Sequence, residues 1–456
     1  MSDLLSAIHA IVGDQGLITD ERVAQRPNES WSKGSCPAKA IIRPASTEEV
    51  SKVLALCHEA NQTIIPQAGM TGLADATKAT EADFVLSLER MRTIEQLDTQ
   101  GATVLVQAGV VVEDLQNAAA EHDLLFAVDW GARGSAQVAG MLAANAGGNK
   151  VIRYGMARDQ VLGLEVVLAD GTVLTNLKET IKDNTGYDLK QLFVGSEGTL
   201  GIITRAVLRL WPSAPARQTA LVGVESFDNA LLLLNTLKQK LEGKLSAFEA
   251  MWNSFYGFMV NETGNHQKFI DDSLPYYILV ESECVDDTRG KEQFIEVLGE
   301  LLEQGVIVDA VIAESQQQSA ALWAVRDDIE AMVKAFSPLI PYDISLPLRH
   351  MEAYTNEVRA ALSEQFPEST CLTFGHLGDG NIHFCVGPVT DKKAIDTVVY
   401  KILEKYKGSV SAEHGIGLSK KPYIHLSRSD AELAVMRSIK AALDPKGILN
   451  PGKIIG

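Results

Sequence analysis

The residues best equipped for chemistry in this sequence are His376 and His383, which bracket Leu377-Gly-Asp-Gly-Asn-Ile382, together with the pair Glu413-His414 further along the chain. Glycine and aspartate break helices and favour tight reversals. On a helix the two imidazoles would share a face yet stand about 10 Å apart, too far to grip one ion at about 2.0–2.1 Å per bond to nitrogen. The segment therefore reads as a β-hairpin, with Cys371–Phe374 entering, Ile382–Val386 leaving and a histidine at each shoulder. Two neutral imidazoles and a Glu413 carboxylate would make the three-ligand set of a catalytic zinc site with an open fourth position. Cys385, on the same strand face as His383, competes with Glu413 as ligand, and with Cys371 it would give a closed structural site. A third reading leaves His376 and His383 as hydrogen-bonded core histidines, and spacing alone keeps all three open. Gly415 permits a bend after Glu413-His414, so that one of the two faces a metal and the other a substrate.

The elements that must position these groups belong to a chain of 456 residues, longer than one core usually supports. The prolines of Leu208-Arg-Leu-Trp-Pro-Ser-Ala-Pro215 place a domain boundary near 212. The expected divisions are 1–212, 213–410 and a C-terminal segment 411–456 that returns to the first domain. Before the boundary, a helix at 4–12 and strands at 40–43, 63–65, 84–88, 103–106, 124–128 and 163–168 follow from the apolar pattern, with a capping box at Ser46–Glu49 opening a helix to about Ala60. After it, alternating strands and helices predict an antiparallel sheet with helices on one face. One continuous helix at 316–336 carries Trp323 and Arg326.

A net charge of −18 argues against a nucleic-acid partner. Five cysteines without a C-x-x-C pair fit reduced thiols. There is no apolar run of membrane-span length, and the start lacks the basic flank of a secretory leader, so the expectation is a soluble cytoplasmic protein.

Glycine loops recur at strand ends in the first half: Gly69/Gly72, Gly131/Gly134, Gly147/Gly148 and Gly195-Ser-Glu-Gly-Thr-Leu-Gly201. Such loops bring backbone amides close to a phosphate or a flat ring, and several interleaved with strands could wrap one extended dinucleotide. Neither the G-x-G-x-x-G of a Rossmann turn nor the G-x-x-x-x-G-K-[ST] of a P-loop is present.

Taken in order, Pro66-Gln-Ala-Gly-Met-Thr-Gly-Leu73, Asn145-Ala-Gly-Gly148, Arg153-Tyr-Gly155, Gly195–Gly201, His376–His383, Glu413-His-Gly-Ile-Gly417 and Asp444–Lys453 resemble the FAD-dependent D-2-hydroxyacid dehydrogenases. These are vanillyl-alcohol-oxidase-type flavoproteins that include D-lactate dehydrogenase, the glycolate oxidase FAD subunit and D-2-hydroxyglutarate dehydrogenase. The resemblance implies an α+β fold: a two-subdomain FAD-binding domain plus an antiparallel-sheet cap domain. It places the cofactor against Pro66, Gln67, Ala68, Gly69, Met70, Thr71, Gly72 and Leu73, against Gly131, Ser135, Gly140, Asn145, Gly147, Gly148, Tyr154 and Gly155, and against Glu197, Gly198, Gly201, Ile202 and Asn450. No histidine lies in 66–74, so FAD is expected to be held noncovalently. By the same resemblance His376, His383 and Glu413 bind a divalent metal, expected to be zinc, His414 is the general base, Arg326 pairs with the substrate carboxylate and Asn381 lies near the substrate.

The implied partners are a small anionic 2-hydroxyacid and an electron acceptor such as an electron-transfer flavoprotein or a quinone, with a homodimer open. Tyr342–Pro347 is similar to the 2-hydroxyglutarate branch, where a lysine is expected just before Tyr-Asp. Pro341 stands there, no lysine lies between Lys334 and Lys392, and Arg349 could substitute. D-Lactate, D-2-hydroxyglutarate and D-malate therefore all stay open. The rival readings are a flavin-free zinc hydrolase and a catalytically silent FAD-binding subunit.

Overall fold

The structure, a computed structural model, describes residues 2–28, 34–389 and 391–455. The chain divides into two compact units: the first comprises 1–147, 155–213 and 413–456, the second 148–154 and 214–412.

In the first unit, strands Ala40–Ile42, Phe84–Ser87 and Ile64–Gln67 run parallel, with Leu17–Ile18 antiparallel at the edge. Continuous apolar strands of this kind belong to a parallel layer covered by helices, and the crossover is helix Thr47–Glu59. The Ser46 side chain accepts from the Glu49 amide at 3.2 Å, while the Glu49 carboxylate accepts from the Ala45 amide at 2.7 Å, one residue earlier than in the usual reciprocal box. Leu54 on this helix is fully buried, which is worth about 1.5–3 kcal/mol. A second sheet is antiparallel, in the order 94–98, 103–107, 202–209, 161–167, 173–176, and one apolar core links the two, from Ile42 and Phe84 to Val106, Leu164 and Ile203. The C-terminal segment closes this unit: Leu449 bridges Ile64, and the Asn450 amide donates to the Ile64 carbonyl at 2.8 Å.

The second unit is built on a seven-stranded sheet in the order 309–312, 216–224, 276–284, 245–252, 370–375, 381–387, 340–345, antiparallel at every pairing. Strands Leu245–Trp252 and Tyr276–Cys284 are buried at every position, so both faces are covered. Four long helices, 227–240, 287–303, 348–365 and 392–405, pack on one face, as Phe227 against Tyr276 and Tyr354 against Phe384 show. The opposite face packs Leu221, Met251, Tyr277, Leu279, Phe374 and Cys385 against shorter helices carrying Phe255, Leu322, Val325 and Met332.

Some local expectations need correction. The helix foreseen at 316–336 is two, Gln316–Asp327 and Ile329–Phe336. Asp328 leaves helical geometry at ψ 61°, and its side chain caps the second helix by accepting from the Ala331 amide at 3.0 Å. Of 124–128 only Leu124–Leu125 is strand. Strand Ile94–Asp98 escaped the apolar pattern because it is a largely exposed edge, while Ile202–Arg209 was hidden by the glycine loop that runs into it.

Candidate active site

The expected hairpin is present, and its register explains the site. Phe374 lies opposite His383, and on its other side His383 lies opposite Asp343 of strand Ile340–Ser345. Alternation puts these side chains on the sheet face that carries Glu249 and Met251 of strand 245–252. The imidazoles of His376 and His383 are buried, 5.3 Å apart between ring centroids and nearly perpendicular at 83°, and each offers a nitrogen within 4.8 Å of the other's.

Two buried acids organise this cluster, and sequence reading assigned a role to neither. Glu249 accepts through Oε1 from His376 Nδ1 at 2.8 Å and through Oε2 from Arg326 Nε at 3.0 Å, with Arg326 Nη2 at 2.9 Å from the same oxygen. Arg326, on helix 316–327, is only 4% exposed and lies over the Phe374 ring at 4.6 Å. Asp343 accepts from Asn381 Nδ2 at 2.9 Å, from the Ser411 hydroxyl at 3.3 Å and from the Ala412 amide at 3.2 Å, and its Oδ1 stands 4.0 Å from His383 Nδ1. Asn381 Oδ1, in contrast, is buried with no hydrogen-bond partner among the described residues. A buried acceptor left unpaired costs about 1–3 kcal/mol, so a donor arriving with a ligand would find it ready. The signal for Glu249 was a single acid inside the apolar run Leu245-Ser-Ala-Phe-Glu-Ala-Met-Trp252.

The closed site with both cysteines does not survive the strand register. Leu372 pairs with Cys385 and Cys371 with Val386, so the two thiols point to opposite faces. Cys385 also lies among apolar side chains, and burial pushes its thiol up to about 12.

In the first unit the glycine loops converge. A Cβ on Gly69 would sit 2.1 Å from the Ser135 carbonyl, and one on Gly198, at φ +69°, would lie 2.5 Å from Pro66 Cγ, so both glycines are required by close approach. Gly140 meets Ala68 Cβ at 3.3 Å, and Gly201 packs on Val166 and Phe193 at the start of the strand that Ile202 opens. Asn145 caps its helix in the left-handed region at φ 52°, and its Oδ1 accepts from the Arg158 amide at 2.9 Å. Gln67 donates to the Thr77 carbonyl at 3.0 Å. The Glu197 carboxylate accepts from the Ile416 and Gly417 amides at 2.6 and 2.8 Å, and Asn450 Nδ2 donates to the Ala76 and Glu197 carbonyls at 3.0 and 2.7 Å. Burial pushes the Glu197 carboxyl up, against the pull of those amides and of Lys420 and Lys453. Met70 takes a left-handed φ of 55°, and Pro66, Thr71, Leu73, Gly147 and Gly155 complete the loops.

Gly148 and Tyr154 fall instead in the segment that clusters with the second unit, where the Tyr154 hydroxyl donates to Glu283 at 3.0 Å. Glu413 and His414 open the final segment of the first unit.

The profile of the FAD linked oxidases' C-terminal domain matches residues 213–454, and an FAD binding domain profile matches residues 38–176. The chain belongs to the FAD-linked oxidase family. Curated relatives include a D-2-hydroxyglutarate dehydrogenase of Stutzerimonas stutzeri, 35% identical over 99% of this chain and 98% of that protein, and a mitochondrial D-2-hydroxyglutarate dehydrogenase of Danio rerio, 38% identical over 96% and 82%. A mitochondrial protein of Schizosaccharomyces pombe provisionally named a D-lactate dehydrogenase is 36% identical over 98% and 89%. Similar folds include 4-ethylphenol oxidase from Gulosibacter chungangensis (TM-score 0.78, 18% identity, covering 99% of this chain and 96% of that one) and alkyldihydroxyacetonephosphate synthase (0.77, 17%, 99% and 84%). The fold is that of the vanillyl-alcohol-oxidase-type flavoproteins, as the sequence led us to expect.

FAD is the cofactor of this FAD-linked oxidase, and the first unit fits it. Gln137 Oε1 and Asn450 Oδ1 are buried acceptors without a partner among the described residues, and a Cβ on Gly72 or Gly131 would meet only open space. No described helix is long and apolar enough to cross a membrane.

Proposed function

We propose that this protein oxidises a D-2-hydroxyacid to the 2-oxoacid, with His376, His383 and Glu413 holding a divalent metal, zinc by donor chemistry. The observation that carries the reading is the gathering, on one sheet face, of two buried imidazoles and a buried guanidinium, with the Glu249 carboxylate joining His376 to Arg326. Chain continuity supports Glu413 as the third ligand. Its neighbour Ala412 is tied by its amide to Asp343, which faces His383, and consecutive Cα atoms lie 3.8 Å apart.

FAD supplies the hydride acceptor when bound, and the metal supplies Lewis acidity toward the substrate hydroxyl. Glu249 occupies the Nε and Nη2 edge of the Arg326 guanidinium and Asp327 lies 3.7 Å from Nη1, so the N–H groups not bonded to Glu249 take the substrate carboxylate and fix its pose. Asn381 Oδ1 accepts a hydrogen bond from the bound hydroxyacid. His414 removes the hydroxyl proton as the C2 hydrogen departs as hydride, and the closed apolar surround of Phe374 and Met251 keeps water from competing.

The relatives' names span D-2-hydroxyglutarate and D-lactate. Pro341, exposed on the site-facing side of its strand opposite Cys385, offers no cation to a second carboxylate, which favours a short monocarboxylate such as D-lactate over a dicarboxylate. An electron-transfer flavoprotein or quinone as acceptor, noncovalent FAD, a cytoplasmic location and a homodimer are parts of the same proposal. Turnover with D-lactate, D-malate and D-2-hydroxyglutarate, before and after chelation and zinc return, tests it. Zinc-restorable oxidation of a D-2-hydroxyacid, strongest with D-lactate, is expected. Turnover that survives complete metal removal sinks the metal, and preference for the dicarboxylate sinks the substrate assignment.

A further inference from the structure

The structure assigns Glu249 as a positioning residue that sets two groups of the reaction at once: the ring orientation of His376 and the pose of the Arg326 fork. It rests on the reading of His376 as a metal ligand. Glu249 lies at the centre of a fully buried strand and is 1% exposed. A carboxylate so placed is tolerated only when its lone pairs are used, and here each oxygen has a different client. Oε1 holds His376 Nδ1 at 2.8 Å. A carboxylate partner at that nitrogen keeps the proton on Nδ1 and leaves the Nε2 lone pair outward, the tautomer a metal requires. Oε2 holds the Nε and Nη2 side of Arg326 at 3.0 and 2.9 Å. That grip fixes the planar fork, while Phe374 supports it from its face at 4.6 Å. One carboxylate thereby fixes the metal-binding nitrogen relative to the carboxylate-binding fork, and so the distance between the two ends of a chelating hydroxyacid.

A neutral amide cannot serve both clients: its oxygen can accept from His376 or from Arg326, and its NH2 group then opposes the other donor. Glu249→Gln, stripped of metal and titrated with Zn2+ against a competing chelator, is therefore expected to bind Zn2+ about 10–100-fold more weakly than the parent and to show a raised KM for the hydroxyacid. The same loss of affinity should largely vanish when Glu249→Gln is made on top of His376→Ala, because the effect passes through that ring.

Glu281 is a buried acid on the same sheet that serves Trp323 Nε1 at 3.0 Å and Ser246, so Glu281→Gln controls for loss of a buried charge and should leave Zn2+ affinity unchanged. If Glu249→Gln misfolds because Arg326 has lost its closest counter-charge, the double variant Glu249→Gln/Arg326→Gln removes that imbalance and should show the same weakened Zn2+ binding. Parent-like Zn2+ affinity in the folded Glu249 variant overturns the assignment, as does an effect undiminished in the His376→Ala background. A parent protein that binds no Zn2+ overturns the ligand set and this inference together, an outcome distinct from zinc binding that ignores Glu249.

Discussion

A guanidinium that is 4% exposed and shared with a glutamate is a geometric device before it is a charge. Lysine at 326 would keep the charge but lose the planar fork that spans Glu249 and a carboxylate ligand. Arg326→Lys is accordingly expected to lower kcat/KM by about 10²-fold, mostly through KM, at unchanged FAD content; an unaltered KM would remove Arg326 from the substrate. At this scale the sequence was readable where residue type and local spacing carried the information. His376 and His383 announced themselves, because two imidazoles around a glycine turn need a hairpin. Glu249 did not, since it meets His376 from 127 positions away. Asp343 reaches Asn381 across 38, and only strand register connects them. Arg326 is followed in sequence by Asp327 and Asp328, the nearest acids along its helix. Its closest partner is instead Glu249, with Asp327 at 3.7 Å.

Elements were legible where pattern and caps agreed: the helix expected to open at Ser46–Glu49 and run to about Ala60 spans Thr47–Glu59, with Ser46 as its cap. They were missed where tertiary context decided, as at edge strand Ile94–Asp98. The glycine loops allow two substitutions to be told apart. Gly69→Ala forces a Cβ to 2.1 Å from the Ser135 carbonyl and should lower both stability and FAD retention, whereas Gly72→Ala meets open space and should keep the unfolding midpoint of the FAD-free protein while losing FAD on gel filtration. Equal FAD retention in Gly72→Ala and the parent would move the cofactor away from that loop.

The junction of the first strands is pinned by Glu89, held by Arg26 through two contacts of 2.7 Å and by Arg43 at 3.0 Å. Burial alone would raise its carboxyl, but these hydrogen bonds and charges outweigh it and hold it at about 2, below the ordinary 4.5. The folded-state value is depressed, so the stabilisation is fully present above 4.5 and is lost as pH falls toward about 2. Glu89→Gln should flatten the acid limb of unfolding free energy within that window and leave its slope at higher pH unchanged; an unaltered acid limb would deny the linkage.

At the scale of the whole molecule, the chain passes from the first unit to the second after Ser213 and returns after Ala412. Glu413-His414 thus follows directly on residues anchored beside His383 through Asp343. His376 and His383 belong to the hairpin in the sheet of the second unit, and Glu413-His414 opens the segment that closes the first unit at Ile64. Glycine loops in order along the chain made the fold class legible, because close approaches such as Gly69 to Ser135 and Gly198 to Pro66 admit no Cβ. Substrate size was less legible, because it depends on which side chains share a sheet face, as Pro341 and Cys385 do across their register.

The most direct test of the central claim is anaerobic mixing of the FAD-loaded, zinc-loaded protein with the two enantiomers of lactate while the oxidised-flavin absorbance is followed. Bleaching by the D-enantiomer alone is expected, slowed about 10²–10⁴-fold in His414→Ala. Flavin that stays oxidised with D-lactate, and with D-malate and D-2-hydroxyglutarate mixed in the same way, or that bleaches as fast in His414→Ala as in the parent, would contradict D-2-hydroxyacid oxidation at this site.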